Sequence, residues 1–259
     1  MLASLLVAWS ALAPLEAEAK PTHARASSGE TRFLGKDPHG PLAHAHNGSL
    51  ASPAKSACRA WGPIGSRWSA LSALGDVVGT SEVSGAERYD VTNCDELSLE
   101  SVSGKPGVGV FVQGEYQPMA LESWSIEGRA RRELEQLITR RDRKLPASSQ
   151  KAKDAPLRAR LLAWKTPDGH HFAVVGGRGL TVLERSRGRW RVLHQITPKR
   201  SEVAHADMYM PLAALDMDGN GSVEIVVHER FIDSYGDFTL TRKNGRYREL
   251  VAGIHGAFA

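Results

Sequence analysis

The chain has 259 residues, 41% hydrophobic and 24% charged, enough to bury a sizeable core. Lys and Arg outnumber Asp and Glu 33 to 29, for a net charge of +4. That excess is small and spread out, which argues against a dedicated nucleic-acid binder, and no run after the first residues approaches membrane-spanning length.

Met1 to Leu15 is apolar apart from Ser4, Ser10 and Pro14, and Ala17-Glu18-Ala19 puts small residues at the −3 and −1 positions of a cleavage site. Residues 1–19 therefore read as a secretory signal peptide, with a secreted or periplasmic destination for the rest. Two cysteines suit an oxidising compartment. Paired, Cys58 and Cys94 would add about 3–4.7 kcal/mol through loop entropy; two buried free thiols are the other reading.

Residues 20–55 are rich in Gly, Pro, Ser, Ala and His and poor in clustered aliphatics, so a flexible leader is expected there. His39, His44 and His46 fall inside it with no carboxylate or cysteine to complete a metal set, so they read as solvated. Residues 56–126 turn to short β patterns. Segments 76–80, 89–92, 97–102 and 107–112 are β-branched or alternating, and Trp61 and Trp68 read as core residues.

Residues 127–157 break that pattern. Leu134, Leu137 and Ile138 recur at helical spacing in a segment carrying Arg129, Arg131, Arg132, Arg140, Arg141 and Arg143, with Glu133 and Glu135 between. This predicts a surface helix with one narrow apolar stripe, followed by a linker over 146–156. Its basic face allows a weak contact with an anionic surface across 129–144.

Residues 158–259 are the most regular. Runs at 160–165, 171–175, 180–185, 190–193, 211–215, 223–227, 238–242 and 247–250 alternate with turns at Pro167-Asp168-Gly169, Arg187-Gly188 and Asn244-Gly245. Asn-Gly between alternating runs is a strong hairpin signal. The fold class expected is mostly β, with antiparallel strands in a small propeller-like or sandwich-like domain bearing one surface helix.

Specific chemistry is indicated in one place. Asp216-Met217-Asp218-Gly219-Asn220-Gly221-Ser222-Val223-Glu224 sets oxygen side chains at loop positions 1, 3, 5 and 9, with Gly221 where a tight turn needs positive φ. Calcium takes six to eight oxygens at about 2.3–2.6 Å from such loops. Position 12, where an EF-hand needs a bidentate Glu, is Val227 inside an apolar run, which excludes an EF-hand. A plain hairpin turn without metal is the competing reading.

With its flanking apolar runs, the stretch from Leu215 to Val227 resembles the calcium loop of FG-GAP/VCBS-type repeats, the blades of integrin-like β-propellers. Phe172-Ala173-Val174-Val175-Gly176-Gly177 is similar to that family's glycine-ended strand, and the likeness spans about residues 158–251. It implies calcium held by Asp216, Asp218, Asn220, the Ser222 carbonyl and Glu224. The expected function is an exported, calcium-stabilised binding or structural module for a protein or carbohydrate ligand, with no catalytic residues. The alternative is an extracellular hydrolase using His205, Asp207, His228 or Glu229 as acid–base groups.

Overall fold

The computed structural model describes residues 29–36, 40–53, 61–88, 95–144, 157–197, 208–230, 234–250 and 255–257. Cys58, Cys94, residues 1–28, the 145–156 segment, His39, His205, Asp207 and the 89–94 run lie outside them. Strands dominate, every pairing between them is antiparallel, and one α-helix accompanies them. None of the helices among the described residues is long and apolar enough to cross a membrane.

Three sheets account for the strands. The first contains β1 (Thr31–Leu34), β2 (Pro41–His46), β3 (Ser49–Ala51), β4 (Arg67–Leu71), β5 (Val77–Arg88), β6 (Asp95–Gly104) and β7 (Phe111–Gln113), in the order β3-β2-β1-β7-β4-β5-β6. The second is the meander β9 (Leu161–Lys165), β10 (His171–Val175), β11 (Leu180–Ser186) and β12 (Arg189–Ile196), with β8 (Glu122–Ser123) added beside β9. The third is the meander β13 (Tyr209–Leu215), β14 (Glu224–Arg230), β15 (Ser234–Lys243) and β16 (Arg246–Leu250), with β17 (His255–Ala257) also pairing β15.

Alternation along the strands shows how the sheets stack. In β14, Ile225 and Val227 join Phe172, Val174 and Val182 of the second sheet, while Val226 joins Phe33, Leu42 and Val112 of the first. The third sheet is thus covered on both faces, which is why β13 and β14 read as continuous apolar runs. The far side of the second sheet, through Ala173, Val175 and Leu183, packs under α1 (Gly128–Asp142). On the far side of the first, Trp61 and Trp68 are buried with Leu34 and Val83. The result is a sandwich-like stack in the order helix, second sheet, third sheet, first sheet.

The helix obeys its predicted stripe: Leu134 and Ile138 are buried, while Arg129–Glu133 and Arg131–Glu135 pairs at 2.7 and 2.6 Å lace the outer face. Arg141 departs from the basic-face picture. It is buried, its guanidinium donates to the carbonyls of Val175, Gly176 and Gly179 and to Thr181 Oγ1, and it pairs with Asp142.

The flexible leader expected over 20–55 is corrected within 31–51 by β1, β2 and β3, its remaining parts at 20–28, 37–39 and 54–55 lying outside the described residues. Phe33, Leu34 and Leu42 are almost fully buried, and β1 lies between β2 and β7 within the first sheet. Strands this short need only two or three inward residues each, so low aliphatic content does not exclude them. Asn47 and Gly48, with φ of 50° and 71°, close the β2–β3 hairpin with the same dipeptide that turns β15 into β16. The strand expected over 107–112 is also shorter than its pattern. Gly107 and Gly109 have φ of 69° and 87°, and pairing begins at Phe111.

Candidate metal centre

The acidic stretch connects β13 to β14, whose end pair is Leu215 with Glu224. Two apolar residues anchor it. Met217 sinks into the core shared with the first sheet, and Val223 into the core shared with the second. Tyr247 of β16 donates from its hydroxyl to the Val223 carbonyl at 3.1 Å. Gly219 and Gly221 take φ of 71° and 82°, as expected for Gly221, and let the chain fold back on itself between those anchors.

Asp216, Asp218 and Glu224 come together: one carboxylate oxygen from each lies within 4.8 Å of the others. All three are buried or nearly so, at 4%, 9% and 2% exposure. Glu224 Oε2 accepts the Met217 N–H at 2.9 Å and Asp216 Oδ2 accepts the Gly221 N–H at 3.0 Å. Asp216 Oδ1 is buried with no hydrogen-bond partner in the protein.

Burial raises all three acids above their ordinary values, Asp218 to about 6 and Glu224 well above its usual 4.5, and their mutual repulsion adds to the shifts of Asp218 and Glu224. A divalent cation among them would remove both penalties at once. An all-oxygen, carboxylate-rich set suits a hard ion such as calcium or magnesium better than a soft one. The unpartnered Asp216 oxygen is the observation that fits these residues to a cation.

The rest of the expected ligand set is arranged differently. Asn220 is exposed; its amide nitrogen donates to Asp218 Oδ2 at 2.9 Å and its oxygen accepts the Ser222 N–H at 2.7 Å. Both side-chain atoms are engaged in shaping the turn, so in this structure Asn220 braces Asp218. Ser222 follows at the loop's rim, half-buried.

Family models, curated proteins and solved structures were compared with the chain, and no match was found.

Of the acid–base candidates, His228 is buried and pairs with Asp237 through Nδ1 at 2.8 Å, and the second Asp237 oxygen accepts the Lys36 N–H. This ties β14 and β15 to the turn after β1. Glu229 is pushed up to about 7, first by burial and then by the charges of Glu249 and Asp237. Neither His228 nor Glu229 lines the cavity beside the triad.

That cavity, of about 130 Å³, was not foreseen from the sequence. Its wall includes His46 and Asn47 of the β2–β3 turn, Glu115, Tyr116 and Gln117 after β7, and Asp216 and Asp218. Tyr116 stands edge-on to Phe33 with ring centroids 5.8 Å apart, and its hydroxyl is buried without a hydrogen-bond partner. Burial chiefly, then the charges of Asp216, Asp76 and Glu224, keep it protonated. No local pattern around residues 115–119 announces this role, because it arises from packing the first sheet onto the third.

Proposed function

We propose that this chain is an exported, calcium-stabilised β module whose work is binding or structural support. The loop at 216–224 would be its metal site, built in the manner of FG-GAP/VCBS-type blades. One observation carries the reading: three carboxylates converge within 4.8 Å, and one of their buried oxygens, Asp216 Oδ1, has no protein partner. Uncompensated, such a cluster opposes folding; with a cation it becomes a cross-link between the ends of β13 and β14. Asp216, Asp218 and Glu224 would supply anionic oxygens, and Asn220 and the bonds from Gly221 and Met217 would hold those carboxylates in place. The ion's contribution would be charge neutralisation and a fixed loop.

The hydrolase reading draws less support, since His228 is committed to Asp237 away from the cavity wall. The anionic-surface reading is weakened by the pairing of Arg129 and Arg131 with glutamates and by the burial of Arg141.

The deciding experiment is thermal unfolding of the full chain with calcium and with EDTA. Calcium is expected to raise the melting temperature, magnesium to do so less, and Asp216→Ala with Asp218→Ala to abolish the response. Superimposable curves for the unaltered protein under both conditions would refute the reading.

A further inference from the structure

We propose that the cation at Asp216, Asp218 and Glu224 completes its coordination with the vicinal hydroxyls of a neutral saccharide seated in the adjoining cavity. The inference rests on the metal reading above and adds a ligand to it.

Coordination number opens the argument. Calcium takes six to eight oxygens. The triad supplies three side chains, and Asn220 is turned to Ser222 and Asp218. Positions therefore remain for oxygens from outside the loop. They need a route, and the cavity provides one, because Asp216 and Asp218 form part of its wall.

Charge then selects the ligand class. Three carboxylates exceed the charge of one divalent ion, Glu115 adds another acid to the wall, and no Lys or Arg is among the lining residues. An anionic ligand would meet only repulsion beyond the ion itself. A neutral molecule offering two oxygens at adjacent positions avoids that cost, and a vicinal diol on a sugar ring is such a molecule.

The rest of the wall has the mixed character a sugar requires. Ala45, Pro118 and Met119 offer apolar surface to ring C–H groups, while Asn47 and Gln117 bring hydrogen-bonding groups. Tyr116 adds its ring to the wall, with its hydroxyl buried against Gly75.

Isothermal titration of the full chain tests this, with methyl α-mannoside and methyl β-galactoside as free probes and an immobilised glycan panel in parallel. At least one probe or glycan should bind in excess calcium and lose binding in EDTA. Binding to immobilised glycans alone would assign the source as a glycan terminus, and binding of the free glycosides as a single sugar. Gln117→Ala should weaken that binding about 3- to 10-fold, the value of one hydrogen bond, while leaving the calcium-induced rise in melting temperature intact. The inference is overturned if calcium stabilises the protein yet no saccharide binds, if binding is equal in EDTA, or if Gln117→Ala leaves saccharide affinity unchanged. No rise in melting temperature with calcium would instead remove the metal reading, and this inference with it.

Discussion

Replacing Glu224 by Gln separates a structural carboxylate from a metal ligand, because the two roles predict opposite signs in the absence of metal. Gln keeps an oxygen to accept the Met217 N–H and is nearly the same size, so the 2.9 Å bond and the packing survive. What it removes is a buried negative charge within 4.8 Å of two others. At an effective dielectric of about 20, each such like-charge pair costs about 3 kcal/mol. Protonation limits the cost, since burial holds the Glu224 carboxyl well above its ordinary value and it sheds part of that charge itself. The net relief at pH 7.5 is then about 1–3 kcal/mol, or about 2–12 °C in melting temperature for a chain of this size. In EDTA, Glu224→Gln should therefore melt above the unaltered protein. With calcium at about 1,000 times its dissociation constant, the unaltered protein gains about 4.1 kcal/mol and the variant does not, so the order reverses. The assay is a pair of melting curves for each protein, in EDTA and in calcium. A variant that melts lower in EDTA would refute the like-charge reasoning, and one that keeps the whole calcium response would remove Glu224 from the ligand set.

Three further outcomes follow from the packing. Phe33→Ala should lower stability by about 3–5 kcal/mol in urea unfolding, because Phe33 is fully buried between the first and third sheets; a detachable leader would show no change. Arg141→Ala should cost about 3–5 kcal/mol by leaving Asp142 with Arg160 alone and the acceptors at Val175, Gly179 and Thr181 without their guanidinium donor, and Arg141→Lys should recover less than half in the same measurement. Glu229 has a folded value near 7, above its ordinary 4.5, so the folded state holds its proton more tightly. Its contribution is present below about pH 4.5 and lost as pH rises through 7. The melting temperature of Glu229→Gln minus that of the unaltered protein should accordingly grow between pH 4.5 and 7 and level off above; a flat difference would refute the assignment.

Much of this fold was legible because its signals are local. The strands from 161 to 250 follow apolar runs bounded by turn residues, and Arg187-Gly188 and Asn244-Gly245 turn where their dipeptides require, with positive φ at both residues of each. The helix follows from Leu134 and Ile138 at i and i+4. The leader failed as a reading because composition was averaged over 20–55, whereas burial is decided residue by residue. Phe33, Leu34 and Leu42 suffice once β7 and the third sheet supply their partners, and Asn47-Gly48 had the weight of Asn244-Gly245.

The metal centre divides along the same line. The convergence of Asp216, Asp218 and Glu224 was readable because the carboxylates of one loop sit at fixed spacing and a nine-residue turn brings them together by itself. Asn220 belonged to the same spacing yet is spent on Asp218 and Ser222, since a short amide two residues from a carboxylate closes a local ring before it reaches the cluster. Tyr116 lies a hundred residues away and reaches the site only because the segment after β7 is packed beside the acidic loop, through a contact that no spacing encodes. A carboxylate cluster can therefore be found within one loop, whereas what it faces depends on which sheet is stacked against it. The same ion caged on all sides would only brace the hairpin. Here the loop borders a cavity whose far wall is Tyr116 and the β2–β3 turn, so on the proposed reading substitutions at 45–48 and 115–119 should change the ligand without changing the ion.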